Sequence, residues 1–338
     1  MAGTANPRQE VKELLEGNKP SRPLFLPIVF SLGARIENMP LRTYLGNPTK
    51  ITSALRQVRS HLPADGVTCY FDPLLEAEAL GGALHWESDE GPARLRWHGG
   101  TTRERLPEGL RPPEVAAHGG RIPVAVEVIR RMKDALRDSA LLMAGLTGPL
   151  ALAHLLLQAG ESGAGGGGAM PEAAVETSGA ALVEIARALA EAGADVVLIQ
   201  ERIPAGVSPE RVEDGLAQLS TLFNIVRFYQ AVPVLLLSAG DARSPLAACG
   251  GAASTCIVCP EWNAAPGSGA RSGAGAGAPI CGVALPVDAF DGMEGAERDA
   301  GLAATARELG PAIVTTAGDI SRIANLKRFA QFREALDA

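Results

Sequence analysis

Short apolar runs alternate with amphipathic stretches along the whole chain. Leu24-Phe25-Leu26-Pro27-Ile28-Val29-Phe30 is the first run, and residues 66–71, 141–146, 196–201, 232–238, 256–259, 280–285 and 312–316 repeat the pattern. Each is short, rich in Val, Ile and Leu, and apolar at successive positions, as a strand covered on both faces must be. Between them the period changes to that of a helix. Residues 48–62 place Ile51, Leu55, Val58 and Leu62 on one face, and the stretch 323–336 does the same with Leu326, Phe329, Phe332 and Leu336. Helices are also predicted over 115–137, 150–158, 172–192 and 209–230. Asn6, Pro7 and Gln9 open a short helix that Gly17 ends. Residues 86–105 alternate polar and apolar positions (Ala93, Leu95, Trp97) and predict a small solvent-facing hairpin.

Eight apolar strands alternating with helices is the pattern of a single (β/α)8 TIM barrel of the α/β class, although the count alone also fits a doubly wound sheet. A barrel would take residues 1–338 as one domain with an N-terminal helix. The Gly-rich segments 160–170 and 264–279 have few side chains to pack and read as flexible loops. Chemistry in such barrels sits at the carboxyl ends of the strands. That rule selects Asp72, Thr147, Glu201, Arg202, Ser238, Asp241, Cys259, Glu261 and Asp319 as the candidate ring.

The densest chemistry follows the second strand, in Tyr70-Phe71-Asp72-Pro73-Leu74-Leu75-Glu76-Ala77-Glu78-Ala79-Leu80-Gly81-Gly82. Pro73 ends the strand and the two glycines close the loop. Asp72 can serve as a catalytic acid at a strand end or as a turn-former that bonds the backbone two residues on. Asp72, Glu76 and Glu78 crowd one loop, so at least one is expected to have a raised pKa.

This stretch resembles the uroporphyrinogen decarboxylase superfamily, which includes methyltransferases that move methyl groups between corrinoid proteins and thiols. Asp72 and Ala79-Leu80-Gly81 match the decarboxylase pattern, and Glu76-Ala77-Glu78-Ala79-Leu80-Gly81 matches the methyltransferase loop. The Thr147-Gly148-Pro149 turn and Gly193-Ala194-Asp195 before the fourth strand match further signatures, and the resemblance implies the barrel. The decarboxylase arginine motif falls on residues 27–35, where Ile28 replaces the first arginine and Arg35 stands for the second. The family's tyrosine after the third strand falls on Leu155, beside His154. Its serine falls on Arg202, and its C-terminal histidine on Asp319. An octa-carboxylate porphyrinogen without those arginines would bring buried charge with no counter-ion. The zinc of the methyltransferase branch needs His-x-Cys where this chain has Ser238-Ala239-Gly240, and a later cysteine where it has Thr316-Ala317-Gly318. The cysteines 249, 256, 259 and 281 read as small core residues, with Cys259 kept as a candidate nucleophile.

Composition narrows the field. The chain has 338 residues, 46% hydrophobic but only 4% aromatic, so its core must be built from Ala, Leu and Val. A formal charge of −7 with no basic block argues against a nucleic-acid surface. No membrane span or signal sequence is visible, and five cysteines are consistent with free thiols, so a cytoplasmic location is expected. Three functions are carried forward. The first is methyltransferase-like one-carbon chemistry on a small substrate without the usual zinc, with a corrinoid-bound methyl donor on a partner protein. The second is a decarboxylase-like lyase acting on a small carboxylate. The third is a non-catalytic ligand- or partner-binding barrel. The expected catalytic residues are Asp72, Glu76, Glu78 and Cys259. The expected substrate-binding residues are Arg35, His154, Glu201, Arg202, Ser238 and Asp319. Family resemblance also implies a homodimer.

Overall fold

The computed structural model describes residues 6–18, 20–97, 105–157, 170–204, 206–237, 256–258, 282–290, 296–321 and 326–337. Its main sheet is parallel, with eight strands. In chain order these are β1 (Leu24–Phe25), β2 (Gly66–Tyr70), β5 (Leu141–Thr147), β6 (Val196–Glu201), β7 (Val232–Leu237), β8 (Cys256–Val258), β9 (Gly282–Leu285) and β10 (Ile313–Thr316). Strands β3 (Ala83–Trp86) and β4 (Ala93–Arg96) form a separate antiparallel hairpin. The ladder runs from β2 through β5, β6, β7, β8 and β9 to β10 and β1, leaving one seam between β1 and β2.

That seam is closed by side chains. Pro27 has no N–H to give, and the predicted first strand over 24–30 pairs as a strand only at Leu24–Phe25. Beyond it the chain stays buried and is held bond by bond. Leu26 N–H reaches Val314 O at 2.8 Å, and Ile28 N–H reaches the Thr316 hydroxyl at 2.9 Å. Thr68 donates its hydroxyl to Pro27 O at 3.1 Å. Asp65, just before β2, donates its N–H to Phe25 O at 2.9 Å and accepts Phe25 N–H at 2.7 Å. Its carboxylate also takes both Arg22 Nη atoms, at 3.0 and 2.6 Å, and Arg333 Nη1 at 2.8 Å. Asp195, just before β6, repeats the device: its N–H donates to Leu142 O and its Oδ2 accepts Leu142 N–H, both at 2.8 Å.

Helices cover the outer face. They are α1 (Pro7–Leu15), α2 (Leu32–Ile36), α3 (Leu41–Leu45), α4 (Pro48–His61), α5 (Leu75–Ala79), α6 (Ile122–Leu136), α7 (Pro149–Leu157), α8 (Glu172–Ala192), α9 (Pro209–Phe228), α10 (Ala296–Leu309) and α11 (Leu326–Asp337). Asn6 caps α1 as expected, accepting Arg8 N–H at 3.1 Å. Gly193, at φ +111°, ends α8 in the left-handed region that glycine adopts without strain. The helix expected over 115–137 is instead a 3-10 turn (Pro113–His118) followed by α6. Gly119 and Gly120 break it. A Cβ on Gly119 would strike the backbone of Ala79, and Gly120 has φ +50°.

Strands β1, β2, β5, β6, β7, β9 and β10 are buried along nearly their whole length, and the core is mostly Ala, Leu, Val and Ile. Two clusters of aromatic rings lie in the core. Phe25, Phe290, Phe329 and Phe332 seat α11 on the seam, with the Phe290 and Phe329 centroids 4.1 Å apart. Phe30, Tyr44 and Tyr70 stack beneath the carboxyl end of β2, at 4.8 Å for Phe30–Tyr70 and 5.5 Å for Phe30–Tyr44. The glycine-rich segment 264–279 and all of 160–170 except Met170 lie outside the described residues.

The Asp65 clasp is the seam's most heavily bonded group, with a side chain 7% exposed. Asp65→Ala would leave Arg22 and Arg333 without their shared counter-ion and Phe25 N–H without its acceptor. It is expected to cost about 3–5 kcal/mol of unfolding free energy. Arg42→Ala, breaking an exposed pair with Asp89, should cost no more than about 0.5 kcal/mol. Urea unfolding of the two variants beside wild type checks the contrast, and equal losses would contradict it.

Candidate active site

Six of the eight strand ends carry described residues into one mouth, and carboxylates dominate it. Asp72 follows β2. Its Oδ1 accepts Leu74 N–H at 2.9 Å, the turn-forming bond anticipated from its position before a proline-led loop. Its Oδ2 faces Arg121 Nη1 at 2.6 Å. Arg121 also sends Nε to Glu78 Oε2 at 2.6 Å and Nη1 to the Tyr70 hydroxyl at 3.4 Å. The Tyr70 hydroxyl in turn donates to Leu45 O at 2.7 Å. Arg121 therefore ties the strand end, the acidic loop and the start of α6 together. Burial works against its charge, but Tyr70, Asp72 and Glu78 outweigh burial and hold the guanidinium protonated. Its Nη2 is enclosed and has no hydrogen-bond partner.

Glu76 is fully enclosed on α5. Its Oε1 accepts Thr147 N–H at 2.8 Å and its Oε2 accepts the Thr147 hydroxyl at 2.9 Å. Burial pushes its carboxyl up to about 7, with the Asp72 charge adding to the rise and the Thr147 bonds opposing it. Among the three acids of the loop, Glu76 thus answers the expectation of a raised pKa. It meets Thr147 rather than the open mouth.

Glu201 ends β6, also fully buried. It accepts Leu150 N–H at 3.0 Å and Ala151 N–H at 2.8 Å, so it caps the first turn of α7. The glycine before that helix is required by this contact, because a Cβ at Gly148 would stand 2.5–2.8 Å from the Glu201 carboxylate. Asp319, in the loop after β10, accepts Phe30 N–H at 2.7 Å and Ser31 N–H at 3.0 Å. Burial raises its pKa, and the charge of Asp72 raises it further, so the two carboxylates sense each other across the mouth. Gln200 Nε2 spans from β6 to Ala317 O at 2.9 Å.

The sequence-selected residues therefore separate. Asp72, Glu76, Glu78 and Asp319 converge, whereas Glu201 and Asp319 spend their oxygens on backbone N–H groups. His154 is half-buried on α7. Arg35 and Arg202 are exposed. Ser238 and Cys259 lie outside the described residues, as do Asp241 and Glu261. Arg121 is the residue that sequence reasoning passed over. Its signal was faint: a single basic residue between Gly119-Gly120 and Ile122-Pro123, where a helix restarts.

A zinc site of the kind the resemblance suggests does not fit these residues. Residues 238–240 provide no imidazole or thiolate. Thr316, in the run of residues 316–319 where the resemblance looks for a later cysteine, accepts Ile28 N–H and donates its hydroxyl to Gly318 O at 2.8 Å. Among the described residues no three His, Cys, Asp or Glu side chains group to hold a metal ion, and no helix is long and apolar enough to cross a membrane.

The sequence model of the family described as Uroporphyrinogen decarboxylase (URO-D) matches residues 6–286. A search of curated proteins finds no match. A solved structure described as a methyltransferase from Methanosarcina mazei has a TM-score of 0.76 and 17% sequence identity, covering 98% of this chain and 98% of that one. The two chains share the barrel fold over their whole length.

Two variants test the site's construction. Arg121→Met would strand Asp72 and Glu78, whose side chains are only 13% and 21% exposed, and should destabilise the protein by about 3 kcal/mol in urea unfolding. Arg121→Lys restores the charge but not the fork, and should recover only part of that loss; full recovery would show that geometry is irrelevant here. Because the Glu76 pKa is raised on folding, its contribution is fully present below the ordinary carboxylate value of 4.5 and is lost as pH rises through about 7. Glu76→Gln should therefore gain in melting temperature on wild type as pH rises from about 5 to about 8. Parallel melting curves across that range would contradict the shift.

Proposed function

The chain belongs to the uroporphyrinogen decarboxylase family, and on that premise we propose that it is an enzyme of one-carbon transfer. It acts on a small acceptor that is neutral or cationic and carries an N–H, O–H or S–H group. The observation that carries this reading is the charge arrangement of the mouth. Among the described residues one enclosed guanidinium, Arg121, stands there, committed to Asp72 and Glu78, and Asp72 in turn acts on Asp319. Such a mouth repels a substrate with several carboxylates and suits one that donates hydrogen bonds. Asp72 is the group placed to take the acceptor's proton, with Glu78 and Arg121 holding it in position.

The step balances without zinc. The acceptor's lone pair forms a bond to the methyl carbon, the bond from that carbon to its donor breaks with its electron pair leaving on the donor, and the acceptor's proton passes to Asp72. The family resemblance supplies the donor class, a methyl-corrinoid carried by a partner protein. Zinc is not required in this reading, because a carboxylate base replaces the metal as the means of making the acceptor nucleophilic.

A second reading, decarboxylation of a small mono-carboxylate, is favoured by one observation: Arg121 Nη2 is a spare donor that a single substrate oxygen could fill. Incubation with free methylcobalamin and a panel of small thiols, amines and phenols, with products read by mass spectrometry, tests the first. Methylated product is expected, and Asp72→Asn should lower its rate by about 10²-fold or more with a smaller effect on KM. Release of labelled carbon dioxide from small carboxylates, with no methylated product, would replace the first reading by the second.

A further inference from the structure

We propose that Glu76, the Thr147 hydroxyl and the Pro73 carbonyl form a two-state proton relay that sets how firmly the loop bearing Asp72 is fastened to β5. The argument starts from one proton with two acceptors. Thr147 Oγ1 lies 2.9 Å from Glu76 Oε2 and 3.2 Å from Pro73 O. A hydroxyl carries a single hydrogen and can donate fully to one of them. When Glu76 is ionised, its carboxylate accepts both Thr147 N–H and Thr147 O–H, and Pro73 O loses its donor. When Glu76 is protonated, Thr147 N–H still donates to Oε1, the new O–H of Glu76 donates to Thr147 Oγ1, and the Thr147 hydroxyl turns to Pro73 O. The protonated state therefore makes one hydrogen bond more than the ionised state, with no heavy atom moved.

Neither state leaves a group of Glu76 unsatisfied, although the side chain is wholly enclosed. That is unusual for a buried carboxyl, which ordinarily finds partners for one protonation state and not for the other. Burial supports the protonated form near neutral pH. The charged groups on the elements around α5 are accounted for. Asp72 precedes it and is the charge that acts on Glu76. Glu78 on α5 and Arg121 before α6 pair with each other. Glu201, beside Gly148, is bound to the start of α7. His118 ends the 3-10 turn, His154 lies on α7, and Glu172 and Glu176 lie at the start of α8.

Pro73 is the residue after Asp72, and Leu74 and Leu75 donate their N–H groups back to Asp72 Oδ1 and O. A donor on Pro73 O thus pins the turn that aims Asp72. Loss of the Glu76 proton withdraws that donor and adds a negative charge beside Asp72. Glu76 acts here as a positioning residue, through Thr147 and Pro73, and the relay rests on these bonds rather than on the identity of the reaction.

Infrared titration of the protein from about pH 5 to about pH 9 follows the carbonyl stretch of a protonated carboxylic acid. Amide shifts of 15N-leucine-labelled protein follow Leu74 and Leu75 in parallel. Wild type and Thr147→Ser should show an acid band that disappears with a midpoint of about 7, and the Leu74 and Leu75 amides should move with the same midpoint. Glu76→Gln should lack both the band and the amide titration. Thr147→Val should keep a titrating acid but lose the coupled movement of the amides. The proposal is overturned if wild type shows no such band, or if the amides titrate in Thr147→Val as they do in wild type. If methyl transfer is found, its decline on the alkaline side should vanish in Glu76→Gln. If none is found, the infrared and amide results still decide the relay.

Discussion

A closed ring of parallel strands has no free edge, yet at both rims adjacent strands and loops leave backbone N–H groups that no ladder reaches. In this barrel buried carboxylates take them. Asp65 serves Phe25, Asp195 serves Leu142, Glu76 serves Thr147, Glu201 serves Leu150 and Ala151, and Asp319 serves Phe30 and Ser31. Each side chain reaches from one βα unit into its neighbour. A hydrogen bond to a charged acceptor contributes more than a neutral one, about 1.5–3 kcal/mol. Taking a carboxylate out of water costs several kcal/mol, so a clamp of this kind holds only where two or more donors converge. They converge at Asp65, Glu76, Glu201 and Asp319, whereas Asp195 has Leu142 N–H and, 3.8 Å away, the Arg8 guanidinium; at the β1–β2 seam Arg22 and Arg333 add their charges to the clamp.

The same constraint explains which acids are left for chemistry. An oxygen spent on a backbone N–H cannot also move a proton for a substrate without loosening the fold. Glu201 and Asp319 are held in that way. Asp72 and Glu78 are held chiefly by a side chain, Arg121, and both retain some exposure. The mouth is therefore a ring of structural carboxylates around a small group whose partner is a guanidinium on the next unit. Glu76 stands between the two classes, since it binds backbone like a clamp yet sits beside Asp72 and responds to its charge.

Much of this was legible in the sequence. The eight barrel strands fall within the apolar runs, apart from Thr147 at the end of β5, because a strand buried on both faces writes its burial into consecutive residues. Helix α8 begins and ends where the pattern says, with Gly193 as its stop. The first strand was overextended because apolar character continues to Phe30 while Pro27 removes the ladder, and composition alone does not weigh a missing N–H. The helix expected over 115–137 was drawn through Gly119-Gly120 because its periodicity hid the close approach to Ala79. At the site, the strand-end rule found the acids but could not separate clamps from chemistry. That distinction depends on which N–H groups lie within 3 Å, and they belong to residues distant in sequence. Arg121 was missed for the same reason, since its partners precede it by more than forty residues.

The site keeps the family's scaffold while its charge logic differs from that of a porphyrinogen decarboxylase. A polycarboxylate substrate calls for several buried cations at the mouth, and among the described residues the guanidinium there, Arg121, is bonded to two protein carboxylates and has little attraction left for one. Asp72 and Glu78 bond that guanidinium, and Asp72 also acts on Glu76 and Asp319, so the four carboxyl groups would repel one another if all were charged. The arrangement is tolerable because Glu76 carries its proton up to about pH 7 and because burial and the neighbouring Asp72 both raise Asp319. Protonation of Glu76 leaves Asp72 and Glu78 facing Arg121 as a compact group of opposite charges. In the reading proposed above, a substrate entering that group exchanges hydrogen bonds with Asp72 rather than bringing counter-charges of its own, which would favour a small proton donor over an anion.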